Sequence, residues 1–262
     1  MKPVSVTFIG AGNVAWHLAP ALDNLGYAVR EVYSRKEKNA NLLAERLYHA
    51  RIVDNLDFSE SESKVFFLCV SDDAIEDIAK RVILPKDSIL VHTSGARQLS
   101  VLSGAKVSRV GVFYPLQTFT KNRRIDFAEV PIFIESADSE TEKVLSAIAK
   151  ALTKKVLKIS SEQRKALHVA AVFASNFSNH MLTLSKNIML SNDLKFELLK
   201  PLIAETLNKS LEIGPEKGQT GPARRGDLEV LDSHMELLRD DERVAEIYKL
   251  ISQHIIDTYE AG

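Results

Sequence analysis

At 262 residues the chain is long for one core, and at roughly 150 residues per domain two domains fit it better than one. Hydrophobic residues at 45% and charged residues at 26% match an ordinary globular protein, and no stretch approaches the roughly 20 uninterrupted apolar residues of a membrane helix. A net charge of -1 at pH 7, with lysines and arginines scattered along the chain, gives no global attraction for phosphate polymers and excludes nucleic acid as an expected partner. Met1-Lys2-Pro3 leads straight into a strand-like segment without a secretory signal, so a cytoplasmic protein is expected. The single Cys69 lies in Val65-Phe66-Phe67-Leu68-Cys69-Val70, which predicts apolar burial and neither redox chemistry nor a metal site.

In chain order, short β-branched or aromatic runs alternate with helical periodicity over residues 1–159, the pattern of a mostly parallel sheet with crossover helices. Strands are predicted at Val4–Ile9, Ala28–Tyr33, Val65–Val70, Ser88–Val91, Val110–Phe113, Ile132–Ile134 and Lys155–Ile159. Helices are predicted at Asn13–Leu25, Lys38–Leu47, Ala74–Arg81 and Glu140–Leu152. Residues 160–262 change character and read as an all-α domain, to which the resemblance described below assigns substrate binding and dimerisation. Ser160-Ser161-Glu162 caps a helix expected to run unbroken to about Leu190, and Pro201, Gly214-Pro215, Gly218, Gly221-Pro222 and Gly226 cut the remainder of the chain into shorter pieces.

Gly10-Ala11-Gly12-Asn13-Val14-Ala15 comes directly after a hydrophobic strand and opens an apolar helix, the context that a dinucleotide fingerprint needs. Gly10 permits the tight turn, Gly12 leaves the diphosphate unobstructed, and Ala15 takes the place of the third glycine where helix and strand pack closely. The first helical N–H groups then face the anion. Where an NAD site places an acid, the second strand ends in Tyr33-Ser34-Arg35-Lys36. A hydroxyl followed by two cations suits a 2′-phosphate, so NADP is expected over NAD, with Glu31 the ribose acid only if the strand ends earlier.

Val70-Ser71-Asp72-Asp73 and His92-Thr93-Ser94-Gly95 also lie just past strand ends, where open α/β sheets bind ligands. Val70, Ser71, His92, Thr93 and Ser94 are candidate cofactor contacts, while Asp72 or Asp73 is expected to cap the next helix. Tyr114-Pro115-Leu116-Gln117-Thr118-Phe119 brings a phenol and an amide to the same edge, making Tyr114 and Gln117 candidate substrate contacts. At about 100° per residue, Lys165, His168, Ser175, Asn176 and Asn179 share one sector of the long helix, opposite a core face of Leu167, Ala170, Phe173, Ala174, Phe177, Met181 and Leu184. His168, Asn176 and Lys165 are the candidate catalytic groups, because hydride transfer at a carbon bearing oxygen or nitrogen needs a proton donor or acceptor. Ser175 and Asn179 are candidate substrate contacts. Gln219-Thr220-Gly221-Pro222-Ala223-Arg224-Arg225-Gly226-Asp227 offers Arg224 or Arg225 to an anionic substrate, with Asp227 capping the next helix.

These motifs together resemble, over nearly the whole chain, the DUF2520 group of NADP-dependent oxidoreductases, a Rossmann-like domain followed by a helical domain. The family pattern more often has histidine where this chain has Tyr114. The architecture is similar to pyrroline-5-carboxylate reductase and the β-hydroxyacid dehydrogenases, with a second domain like the C-terminal part of 6-phosphogluconate dehydrogenase. The resemblance implies an NADP(H)-dependent oxidoreductase, a homodimer joined through the helical domain, and an active site between domains acting on a small polar C=O or C=N substrate. A protein that binds the nucleotide as a sensor without turnover is the alternative.

Overall fold

The computed structural model describes residues 3–260. Eight strands form one sheet: β1 Val6–Ile9, β2 Val29–Tyr33, β3 Arg51–Val53, β4 Val65–Leu68, β5 Ile89–His92, β6 Arg109–Pro115, β7 Ile132–Ser136 and β8 Val156–Lys158. Their order is β3-β2-β1-β4-β5-β6-β7-β8, so the order reverses between β1 and β4, and the first six strands adopt the doubly wound dinucleotide-binding pattern. β1, β4 and β5 are buried at every position, as strands covered on both faces must be. β7 is the departure from a parallel sheet. It runs antiparallel to β6, with Ile132 opposite Pro115, because residues 116–131 return as a loop at the same end rather than crossing over. The sequence reading missed β3, a three-residue edge strand.

Helices α1 Asn13–Asn24, α2 Glu37–Ala44, α3 Ile75–Arg81 and α4 Ser139–Leu152 fall close to their predicted places. One face of the sheet packs Val6, Phe8 and Phe67 with Leu18 and Leu22 of α1 and Leu145 and Ile148 of α4. The other packs Ile9, Phe66 and Leu68 with Ile75 and Ala79 of α3. Neither Asp72 nor Asp73 caps α3 as expected: Asp72–Ala74 is a short 3-10 turn after Ser71, with no side-chain cap at either start.

The predicted long helix is interrupted. α5 Ser161–Ala171 gives way to a π-helical segment, Val172–Phe177, before α6 Ser178–Ser191. A capping box opens α5, with Ser160 accepting from Gln163 N while the Gln163 side chain accepts from Ser160 N. The expected core face also differs. Leu167 packs against the β6–β7 cluster of Val112, Tyr114 and Phe133, but Ala170 and Ala174 are exposed, and Phe173 and Phe177 are 64% and 48% exposed.

The chain forms two compact units, one up to Ser175 and one from Asn176. α5 belongs with the sheet because Ser161 and Arg164 are bonded to Glu135 on β7. The second unit is helical throughout: α6, α7 Lys200–Ile213, α8 Pro215–Gly218, α9 Pro222–Arg225, α10 Leu228–Leu237 and α11 Glu242–Glu260. Gly214, Gly221 and Gly226 adopt positive φ between these pieces, so the helix breaks fall where the glycines were read. Among the described residues no helix is long and apolar enough to cross a membrane, and no three His, Cys, Asp or Glu side chains gather as metal ligands.

Candidate functional site

The two glycines of the first turn do different work. Gly10 has φ +108°, donates to Tyr33 O at 2.7 Å, and would place a Cβ 2.3 Å from Cys69 O, so the fold itself demands glycine. Gly12 has φ -78°, open to any residue, and a Cβ there would meet only Cys69 O, at an ordinary 3.5 Å. Nothing in the chain requires glycine at 12. The bare position keeps clear the start of α1, which has no side-chain cap and no acid in its first turn. Ala11 is buried, Asn13 exposed and Val14 half-buried around it, while Ala15 is fully enclosed against the sheet. An uncapped helix start at the reversal point of a parallel sheet, cleared by a missing Cβ, fits a nucleotide diphosphate.

β2 runs to Tyr33, so Glu31 lies within the strand rather than at its end. Its carboxylate is buried, accepting from Thr7 Oγ1 at 2.7 Å, Ser61 Oγ at 2.5 Å and Arg51 Nη2 at 2.6 Å, and it cannot serve a ribose. Ser34 is half-buried beyond the strand, and Arg35 and Lys36 are exposed with no carboxylate partner among the described residues. Ser71 is exposed and Val70 half-buried at the end of β4.

Thr93 and Ser94 after β5 bond within the chain, while His92 at its end is bonded through Nδ1 alone, its buried Nε2 having no hydrogen-bond partner among the described residues. His92 is fully buried, its Nδ1 accepting from Ser94 N at 3.2 Å, and burial, with Arg164 adding, pushes its pKa down to about 3. Thr93 Oγ1 donates to Leu68 O, and Ser94 Oγ accepts from Ala96 N and Arg97 N. These groups fix the strand end, and their hydroxyl and imidazole groups are turned inward.

The structure brings together Tyr114 and His168, with Tyr114 Oη 3.0 Å from His168 Nδ1. Tyr114 is 8% exposed, and burial raises its pKa, keeping the phenol protonated at neutral pH. Gly95 sits against the pair: a Cβ there would lie 2.6 Å from His168 Nδ1 and 2.7 Å from Tyr114 Cζ, so only glycine lets them meet. One turn before His168, the fully buried Arg164 bonds Glu135 Oε2 and Arg97 O, while Ser161 Oγ donates to Glu135 at 2.9 Å. Sequence reading missed Gly95, Glu135 and Arg164, although Arg164 stands four residues before His168 on the same helical face.

Other predicted site residues stand elsewhere. Lys165 is exposed and lines a separate cavity of about 530 Å³ with Glu76, Lys80 and Arg97. Gln117 is exposed, its Oε1 turned back to accept from Thr118 N at 2.8 Å. Ser175 and Asn176 fall in the π-helical segment and Asn179 in α6, so the uniform 100° spacing that aligned them with His168 does not hold. In the second unit, Arg224 stacks on Tyr259 with its guanidinium 4.5 Å from the ring centre, and Arg225 pairs with Asp227 at 2.9 Å. Asp227 makes no side-chain cap on α10, because its carboxylate is turned to Arg225.

The fold and its glycine turn define a Rossmann-type domain with a site suited to a nucleotide diphosphate. A family described as NADP oxidoreductase, coenzyme F420-dependent, matches residues 5–95, and the domain of unknown function DUF2520 matches residues 130–255. BF3122 from Bacteroides fragilis, described as an NADP oxidoreductase, is 37% identical, with 98% of this chain and 99% of that one covered and a TM-score of 0.89. The chain belongs to this Rossmann-like NADP oxidoreductase family. Protein TM1727 from Thermotoga maritima shares the fold at 24% identity and a TM-score of 0.75, covering 96% of this chain and 99% of that one. So does a reductive aminase from Aspergillus terreus, in complex with NADPH and ethyl-5-oxohexanoate, at 15% identity and a TM-score of 0.73, covering 98% of this chain and 94% of that one. No curated protein matches the chain.

Proposed function

We propose that this protein is a cytoplasmic NADP(H)-dependent reductase, or the reverse dehydrogenase, acting on a small polar substrate with a C=O or C=N bond. The observation that carries the reading is the hydrogen-bonded pair of buried Tyr114 and half-buried His168, an acid–base couple in the same compact unit as the cleared helix start. The nicotinamide supplies hydride to the electrophilic carbon when the nucleotide is bound. The chain's own part is to bind and to move a proton. The first-turn amides of α1 hold the diphosphate past Gly12, and Ser34, Arg35 and Lys36 hold a 2′-phosphate, which favours NADP over NAD. Tyr114 donates the proton to the oxygen or nitrogen of the substrate and recovers it through His168. The reductive aminase fold, solved with NADPH and a keto ester, supports a carbonyl- or imine-reducing chemistry. Lys165, Asn176, Ser175, Asn179, Gln117, Arg224 and Arg225 keep only the support of their residue types.

The test is loss of nicotinamide absorbance when the protein meets NADPH and a panel of keto acids, keto esters and cyclic imines. His168→Ala is expected to lower turnover by about 10²–10⁴-fold with NADPH affinity within about twofold of the parent. Tight NADPH binding without turnover across the panel removes the reductase reading, and unchanged turnover in His168→Ala removes the proton pair from it.

A further inference from the structure

A cavity of about 500 Å³ opens along the body of α1, lined also by residues 121–128, Arg46 and the end of α4. Its charge is out of keeping with the near-neutral molecule. Arg46, Lys121, Arg123 and Arg124 surround it, and Asp126 is the lone carboxylate among its lining residues. Asp126 is already engaged, its Oδ1 accepting from Ala128 N at 3.0 Å. None of the four cations has a carboxylate within ion-pair distance among the described residues, whereas Arg30, Arg51, Arg81, Arg97 and Arg109 elsewhere in the same unit all do.

Two of the cations are held in place. The Arg46 guanidinium lies 4.2 Å, and Lys121 Nζ 4.7 Å, from the centre of the Trp16 ring. Arg46 also donates to Trp16 O, and Trp16 Nε1 donates to Lys121 O at 3.2 Å. Another bond, between His17 Nε2 and Thr120 O at 2.9 Å, pins the loop to α1. Cations ordered before a ligand arrives lose less entropy on binding it. Ala21, Leu25 and Leu152 give the cavity an apolar wall beside the charges.

We infer that this cavity is a second anion site, taking a small phosphorylated ligand whose phosphate is gripped by Arg123 and Arg124 and whose carbon part lies on the apolar wall. Ala21 and Asn24 stand nine and twelve residues beyond Gly12, roughly 14–18 Å along the helix, so the cavity is distinct from the nucleotide diphosphate site. Inorganic pyrophosphate, titrated by calorimetry at physiological ionic strength, is the probe. Arg123→Gln/Arg124→Gln changes exposed side chains only, and its melting temperature checks the fold. Gly12→Val blocks the α1 start, and the double arginine variant is made in that background so that the nucleotide diphosphate site contributes no heat. The expected result is binding that survives Gly12→Val and weakens about tenfold or more in the double variant. Binding unchanged in the double variant, binding lost with Gly12→Val alone, or no heat up to about 10 mM overturns the inference.

Discussion

Gly10 and Gly12 look alike in the sequence and separate sharply in the structure. Gly10→Ala forces a Cβ into the Cys69 carbonyl at positive φ, and is expected to cost about 2–4 kcal/mol in urea unfolding. Gly12→Val should leave the melting temperature nearly unchanged while abolishing nucleotide binding by calorimetry; a nucleotide affinity equal to the parent's would remove the diphosphate from the start of α1. His92 makes a pH prediction. Its pKa is about 3 in the folded chain against an ordinary 6.5, so the unfolded chain binds the extra proton between these values. Stability from this group is complete above pH 6.5 and is lost as pH falls toward 3, by up to about 1.4 kcal/mol per pH unit. His92→Asn should flatten the stability–pH slope below pH 6, measured by urea midpoints. The glycine turn and His168 stand out in the sequence as candidates because residue type and neighbours carry that signal. Gly95 does not, since its role depends on two side chains distant in sequence converging on it.

At the scale of elements, the strands that read best were those buried on both faces, where an unbroken apolar run leaves little choice of structure. β3 was invisible because Arg51-Ile52-Val53 is only three residues long, opens on a charged residue and is recruited by the edge of β2. The long helix shows the limit of periodicity. Its start was legible from Ser160-Ser161-Glu162, but the π-helical segment changes the rotation per residue and undoes the projected stripe beyond His168. Ser160→Ala removes half of the capping box and is expected to lower stability by about 1 kcal/mol in urea unfolding. An equal melting curve for the variant would show that tertiary contacts alone hold α5.

For the molecule as a whole, length indicated two parts, and the helical part leaves large apolar side chains in the open: Leu202, Leu207, Leu211 and Leu250 are 63%, 55%, 87% and 72% exposed. That is the ground for expecting a homodimer, read as twice 29.2 kDa by light scattering, with Leu211→Glu shifting the population to monomer. A single monomer peak for the parent at micromolar concentration would reject it. Cys69 has a practical consequence at the same scale. It is the chain's sole cysteine, 6% exposed at the end of a central strand, with burial pushing its thiol up to about 12. Alkylating reagents must therefore wait for the sheet to come apart, which makes the rate of labelling a clock for global opening. A bound coenzyme should slow that clock in proportion to its concentration over its dissociation constant, so one thiol reports occupancy without any knowledge of the substrate.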